Sequence, residues 1–328
     1  MNELRYDSEV RASSAYRSIA ADIDRGEFSH AYFICSEDKD AVDTLFTLIA
    51  MKVYCKDACG ECAECHKVLM RSKPDVKYLA EGKENFTVSE MAEVTEDAGM
   101  TAFEGGRKLY FFKNFENLVD APQNKLLKTL EEPFDRVHFI LSAASTATVL
   151  PTILSRVKQV TLAAFPTESV RKALLKSGVP ADRAERGARL SQGSLTRARE
   201  FAVDEDFARH VSEVTELLVE LKSSADVYRF LREGIFTKER IERTLSMLEL
   251  VFHSVMSRHL GLPVLLEEQD AAIAEIAGAY SLAAVGEATD VILTCRARLR
   301  SNCNATNVAD YLLLKLAEVK YKCRSSLA

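Results

Sequence analysis

Four short β-rich runs, HAYFIC (30–35), DVKYLA (75–80), KLYFFK (108–113) and VHFILS (137–142), alternate with helical stretches over the first 165 residues. Parallel strands need crossovers long enough to carry the chain back to the same end of a sheet, and helices usually supply them. The alternation therefore predicts an α/β N-terminal domain with a mainly parallel sheet. Local signals agree with that frame. TVSE at Thr87–Glu90 has the spacing of a capping box before a helix, and EGG at 104–106 is a turn feeding the third run.

After Pro166 the strand signal stops. TESVRKALLKSG, ADRAERGARLSQG and SLTRAREFA read as three short helices separated by Gly or Pro, which predicts a small helical domain over 166–204. From about residue 205 the apolar positions recur at helical spacing: Phe207, Val211, Val214, Leu218 and Leu221, then Ile241, Leu245, Leu248, Phe252 and Val255. The expected organisation is thus an α/β domain at 1–165, a small helical domain at 166–204 and an all-helical domain at 205–328.

The segment YCKDACGECAECHK sets Cys55, Cys59, Cys62 and Cys65 in a C-x3-C-x2-C-x2-C pattern, with Gly60 allowing a tight bend between the second and third. Four soft thiolates at this spacing suit a tetrahedral zinc ion, and a site filled by protein ligands on all sides is structural, with no position open for water or substrate. Four thiolates also suit an iron–sulfur cluster, and His66 is an alternative ligand to one cysteine. Buried cysteines of a core would sit in apolar surroundings, whereas these stand among Lys, Asp, Glu and Gly. Cys35, Cys295, Cys303 and Cys323 are isolated and read as ordinary thiols.

The first strand runs through a polar turn into a helix, HAYFICSEDKDAVDTL (30–45), in the order that often cradles a nucleotide's phosphates. Here the turn has no glycine and carries Glu37, Asp38 and Asp40, carboxylates that would repel a triphosphate. Further on, Ser155 and Arg156 end a short helix in VLPTILSRV. A guanidinium placed there has the planar fork that suits phosphate, although a lone arginine at a helix end is ordinarily solvated or salt-bridged.

The 328 residues carry a formal charge of −6, which argues against a broad basic surface for nucleic acid and against a stand-alone zinc-module nucleic-acid-binding protein. The opening residues lack the apolar core of a signal peptide, and no charge-free stretch is long enough to span a bilayer. A cytoplasmic setting, without membrane, is expected. Reduced thiols there favour metal over disulfides.

Several runs together resemble a known family: SHAYFI, CGECAECHKV, EGGRKLYFF, APQNKLLKTLEEP, VLPTILSRV and SNCNATNVADYLLLKL. They are similar to the delta-prime family of bacterial DNA polymerase III clamp-loader subunits, relatives of the gamma/tau ATPases in the AAA+ class, and the similarity runs along nearly the whole chain. The resemblance implies an AAA+-like α/β domain bearing a zinc module, a helical lid and a helical collar for oligomerisation. It implies gamma/tau and delta subunits as partners, and the sliding clamp and primed DNA through the assembly. The glycine-rich loop of the ATPase members is missing, and Lys113 and Asn114 replace the acidic pair that follows their third strand. An ATP-hydrolysing gamma/tau-like subunit is therefore disfavoured, and no ATP bound by this chain is expected.

What the resemblance leaves is one chemical duty in trans. Arg156 would be an arginine finger for a neighbour's ATP, with Ser155 orienting the turn and Val157 standing where the family has cysteine. The Gly193–Ser194 turn resembles the second sensor region, with Thr196 at the usual arginine position. Arg197 beside it reads as a surface helix residue.

Overall fold

A computed structural model describes residues 4–80, 86–147, 149–232, 234–300 and 303–326; Ser301, Asn302 and the side chain of Cys323 lie outside the described residues. The chain divides into two compact units, Met1–Val203 and Asp204–Ala328.

The first unit opens with α1 (Asp7–Ala12) and α2 (Ser14–Asp24), then runs β1 (Ala31–Cys35), α3 (Lys39–Tyr54), α4 (Ala63–Leu69), β2 (Val76–Leu79) and α5 (Val88–Ala98). It continues through β3 (Lys108–Phe112), α6 (Asp120–Glu131), β4 (Val137–Ala143), α7 (Pro151–Leu154) and β5 (Lys158–Thr161). Helices α8 (Thr167–Lys176), α9 (Ala181–Leu190) and α10 (Leu195–Val203) close it. Five strands form one parallel sheet in the order β2-β3-β4-β1-β5. The four expected strands are present.

The period of two along each strand explains why both faces of this sheet are covered. Tyr32, Ile34, Leu109, Phe111 and Ile140 join the core shared with α2, α3, α4 and α8–α10. Their neighbours Ala31, Phe33, Tyr110, Phe112, Phe139 and Leu141 join the core under α5, α6 and α7. Strands buried on both sides read as near-continuous apolar runs, which is why they were visible in the sequence. β5 was not, because it is an edge strand whose KQVT leaves Lys158, Gln159 and Thr161 exposed. The predicted capping box is present: the Thr87 hydroxyl accepts from the Glu90 amide while the Glu90 carboxylate accepts from the Thr87 amide.

Among the described residues of the second unit the regular elements are all helical: α11 (Phe207–Glu220), α12 (Ser224–Arg232), α13 (Ile241–His259), α14 (Asp270–Ala279), α15 (Leu282–Arg300) and α16 (Ala305–Ser326). The stripe positions of α11 and α13 named above are all buried. No single helix among the described residues is long and apolar enough to cross a membrane.

Candidate functional site

β1 lies between β4 and β5, so its carboxyl end is where the strand order reverses, the usual place for a ligand in an open parallel sheet. Residues 36–38 turn the chain there into α3, and Asp38 caps that helix, its carboxylate accepting from the Ala41 amide at 3.2 Å. The same carboxylate reaches the start of α10. It accepts from the Leu195 amide at 2.5 Å, the Thr196 amide at 3.2 Å and the Thr196 hydroxyl at 2.7 Å. Thr196 Oγ1 in turn accepts from the Asp40 amide at 2.9 Å.

Helix N-termini offer unpaired N–H groups and the positive end of a dipole, so each attracts an anion. In this protein the anion is Asp38, only 8% exposed. The other two carboxylates are also paired. Arg199 binds Asp40 with contacts of 2.9 and 3.3 Å, and Arg197 reaches Glu37 at 3.2 Å. The basic residues of α10 thus neutralise the acidic turn, and Arg197 is more than a surface helix residue. At the end of β3, Lys113 pairs with Asp43 of α3.

Arg156 follows α7, whose last turn Ser155 caps. Its guanidinium bonds the Thr152 carbonyl at 2.8 Å and Ser155 Oγ at 3.1 Å, and pairs with Glu131 of α6 at 2.7 Å. The side chain remains one-third exposed, and Ser155 is exposed. Ser155 therefore touches the guanidinium directly, and Glu131 is a partner that the sequence did not reveal.

The four cysteines converge where α3 ends and α4 begins. Cys55 caps α3, Cys62 caps α4 with its sulfur accepting from the Cys65 amide at 3.5 Å, and Cys59 accepts from the Cys62 amide at 3.4 Å. All four sulfurs lie within 4.8 Å of one another, and His66 is exposed outside the group. Four sulfurs about 2.3 Å from a central zinc would stand about 3.8 Å apart; Cys55 and Cys59 are at 3.7 Å. The donor set fits a thiophilic metal ion. The Cys59 amide pulls the Cys55 thiol down to about 6, while burial pushes the Cys65 thiol up. A charge network braces this module: buried Lys73 pairs with Glu64 of α4 and with Glu104, which also takes Lys67 at 2.8 Å. Arg11 ties α1 to it through the Ala58 carbonyl at 2.6 Å. Of the isolated cysteines, Cys295 is buried, Cys35 half-buried and Cys303 exposed.

Residues 12–166 match the protein family described as DNA polymerase III, delta subunit. The DNA polymerase III subunit delta' of Haemophilus influenzae is 35% identical over 168 residues, 49% of this chain and 51% of that protein. The Bacillus subtilis subunit delta' is 24% identical over 307 residues, covering 90% of this chain and 93% of its own length. The chain is delta-prime-like. This delta-prime-like chain spans about half the length of the Haemophilus relative and about half, 48%, of the Escherichia coli one. Among solved structures, a gamma subunit-related protein of Thermotoga maritima aligns with 94% of the chain and 100% of its own length, at 15% identity and a TM-score of 0.45.

Proposed function

We propose that this delta-prime-like chain is a non-catalytic clamp-loader subunit that takes part in ATP-driven loading of the sliding clamp onto primed DNA. In this reading it sits in the cytoplasm, in a ring with gamma/tau and delta subunits as part of the DNA polymerase III holoenzyme. The observation that carries the reading is the β1–α3 turn. At the start of α3 the Ala41 amide is already bonded to Asp38 and the Asp40 amide to Thr196 Oγ1, Asp38 also takes the Leu195 and Thr196 amides of α10, and the site that would need acidic metal ligands holds Lys113. Binding a triphosphate would require breaking these bonds and placing its charge beside the buried Asp38.

The remaining chemistry is exported. Arg156 would swing from Glu131 to a neighbour's ATP and stabilise the charge on the transferring phosphoryl group, with Ser155 holding the turn. An exposed ion pair of this kind is worth about 0–1 kcal/mol, so releasing it costs little compared with a contact to phosphate. The four cysteines would hold a structural zinc ion through Cys55, Cys59, Cys62 and Cys65, fixing the α3–α4 loop. Residues 166–204 would serve as the lid and 205–328 as the collar, where Leu282, Leu293, Leu314 and Tyr321 leave apolar surface exposed on α15 and α16.

The test is reconstitution with gamma/tau and delta subunits. Arg156→Lys should leave assembly on a sizing column unchanged and lower DNA-stimulated ATP hydrolysis by about tenfold or more, given the 10³–10⁵ attributed to such fingers elsewhere. An unaltered hydrolysis rate in an intact assembly would refute the finger. Saturable binding of a fluorescent ATP analogue by the isolated chain would refute the non-catalytic role.

A further inference from the structure

We infer that Asp38 is a built-in oxyanion that latches the α8–α10 segment onto the sheet. One carboxylate joins the first turns of two helices that are 157 residues apart in sequence. Oδ2 accepts from the Leu195 amide; Oδ1 accepts from the Thr196 amide, the Thr196 hydroxyl and the Ala41 amide. This is the donor arrangement that a phosphate oxygen meets at a helix start, and here a side chain supplies the acceptor.

The bonding runs in both directions. Thr196 Oγ1 donates to Asp38 and accepts from the Asp40 amide, so the hydroxyl is fixed at both ends. Arg199 on Asp40 and Arg197 on Glu37 extend the clasp along α10. Behind it, Gly193 brings the chain against Phe165, whose amide donates to the Gly193 carbonyl at 2.9 Å. The segment is therefore held closed by groups that are always present, and its position does not follow nucleotide occupancy. None of these groups touches Arg156, so the latch and the finger can fail separately.

The experiment is amide hydrogen exchange on the full chain, comparing wild type with Asp38→Gly. Glycine is nearly as good as aspartate at a helix start, so α3 is little weakened although its carboxylate cap is lost. Exchange at the Leu195 and Thr196 amides should accelerate by about tenfold or more, since bonds to a charged acceptor are the strong ones. Inorganic sulfate should restore their protection saturably in Asp38→Gly and leave wild type unchanged. Should Asp38→Gly fail to fold, Asp38→Asn keeps the shape, drops the charge and should accelerate the same two amides. Unchanged exchange in the variant, or restoration equalled by chloride at matched ionic strength, would overturn the inference.

Discussion

His138 offers a test of the sheet's electrostatics with a sign that can be worked in advance. It is buried at the start of β4, against Phe28 with ring centroids 4.3 Å apart. Arg107 stands 2.9 Å from Nε2 and the Ser29 carbonyl 2.8 Å from Nδ1. A guanidinium can only donate, so Nε2 must accept and Nδ1 must carry the proton. Burial first, and then the Arg107 charge, push the imidazole down to about 4 from its usual 6.5. A base whose pKa is depressed on folding gives the unfolded chain the extra proton at acid pH. Stability is then unaffected above about pH 6.5 and falls as pH drops from there towards 4. With the two pKa values above, the loss between pH 7 and 4.5 is about 2 kcal/mol, an average of about 1 kcal/mol per unit against a ceiling of about 1.36. His138→Gln removes the titration and keeps an amide able to bond. Urea unfolding followed at several pH values should show the wild-type curve falling more steeply than the variant's by about 1 kcal/mol per pH unit near pH 5. Parallel curves for the two proteins from pH 4.5 to 7 would refute the buried neutral imidazole.

Gly193 has φ +84°, and a Cβ there would stand 2.4 Å from the Phe165 carbonyl oxygen. Gly193→Ala should cost about 2–4 kcal/mol in urea unfolding, whereas Gly178→Ala, with similar φ but open space, should cost about 1 kcal/mol. Protein prepared with excess zinc and then desalted should retain one zinc per chain by elemental analysis, and Cys62→Ala should lose it and expose the α3–α4 loop to protease; metal-free wild type after that treatment would count against the zinc centre.

The sequence displayed whatever was local. Continuous apolar runs marked β1–β4, the Thr87–Glu90 spacing marked the start of α5, and the four cysteines marked a metal-capable loop. What it concealed was pairing across long separations. Glu37, Asp38 and Asp40 read as a repulsive rim because their partners Arg197, Thr196 and Arg199 come from a helix about 160 residues later. Asp38 directly precedes α3 and caps it through the Ala41 amide, a role that went unread while the residue counted only as one of three repelling carboxylates. Glu131 could not be assigned to Arg156 from sequence for the same reason: α6 and α7 meet only after β4 has been laid into the sheet.

The pattern of charges at the sheet's carboxyl edge argues for replacement of a ligand site by protein groups. A phosphate site requires an anion against helix N-termini and a cation beside it; here Asp38 supplies the first, and Lys113, paired with Asp43, stands where the resemblance puts metal-holding carboxylates. Had the site only lost its binding residues, the α10 amides would be left to water and the segment would be free to move whenever its apolar contacts loosened. A carboxylate with four donors instead makes the closed arrangement independent of ligand, because neither a ligand nor its concentration enters the equilibrium. On the clamp-loader reading proposed above, that is the property needed by a subunit that holds a geometry against which ATP-dependent neighbours would move.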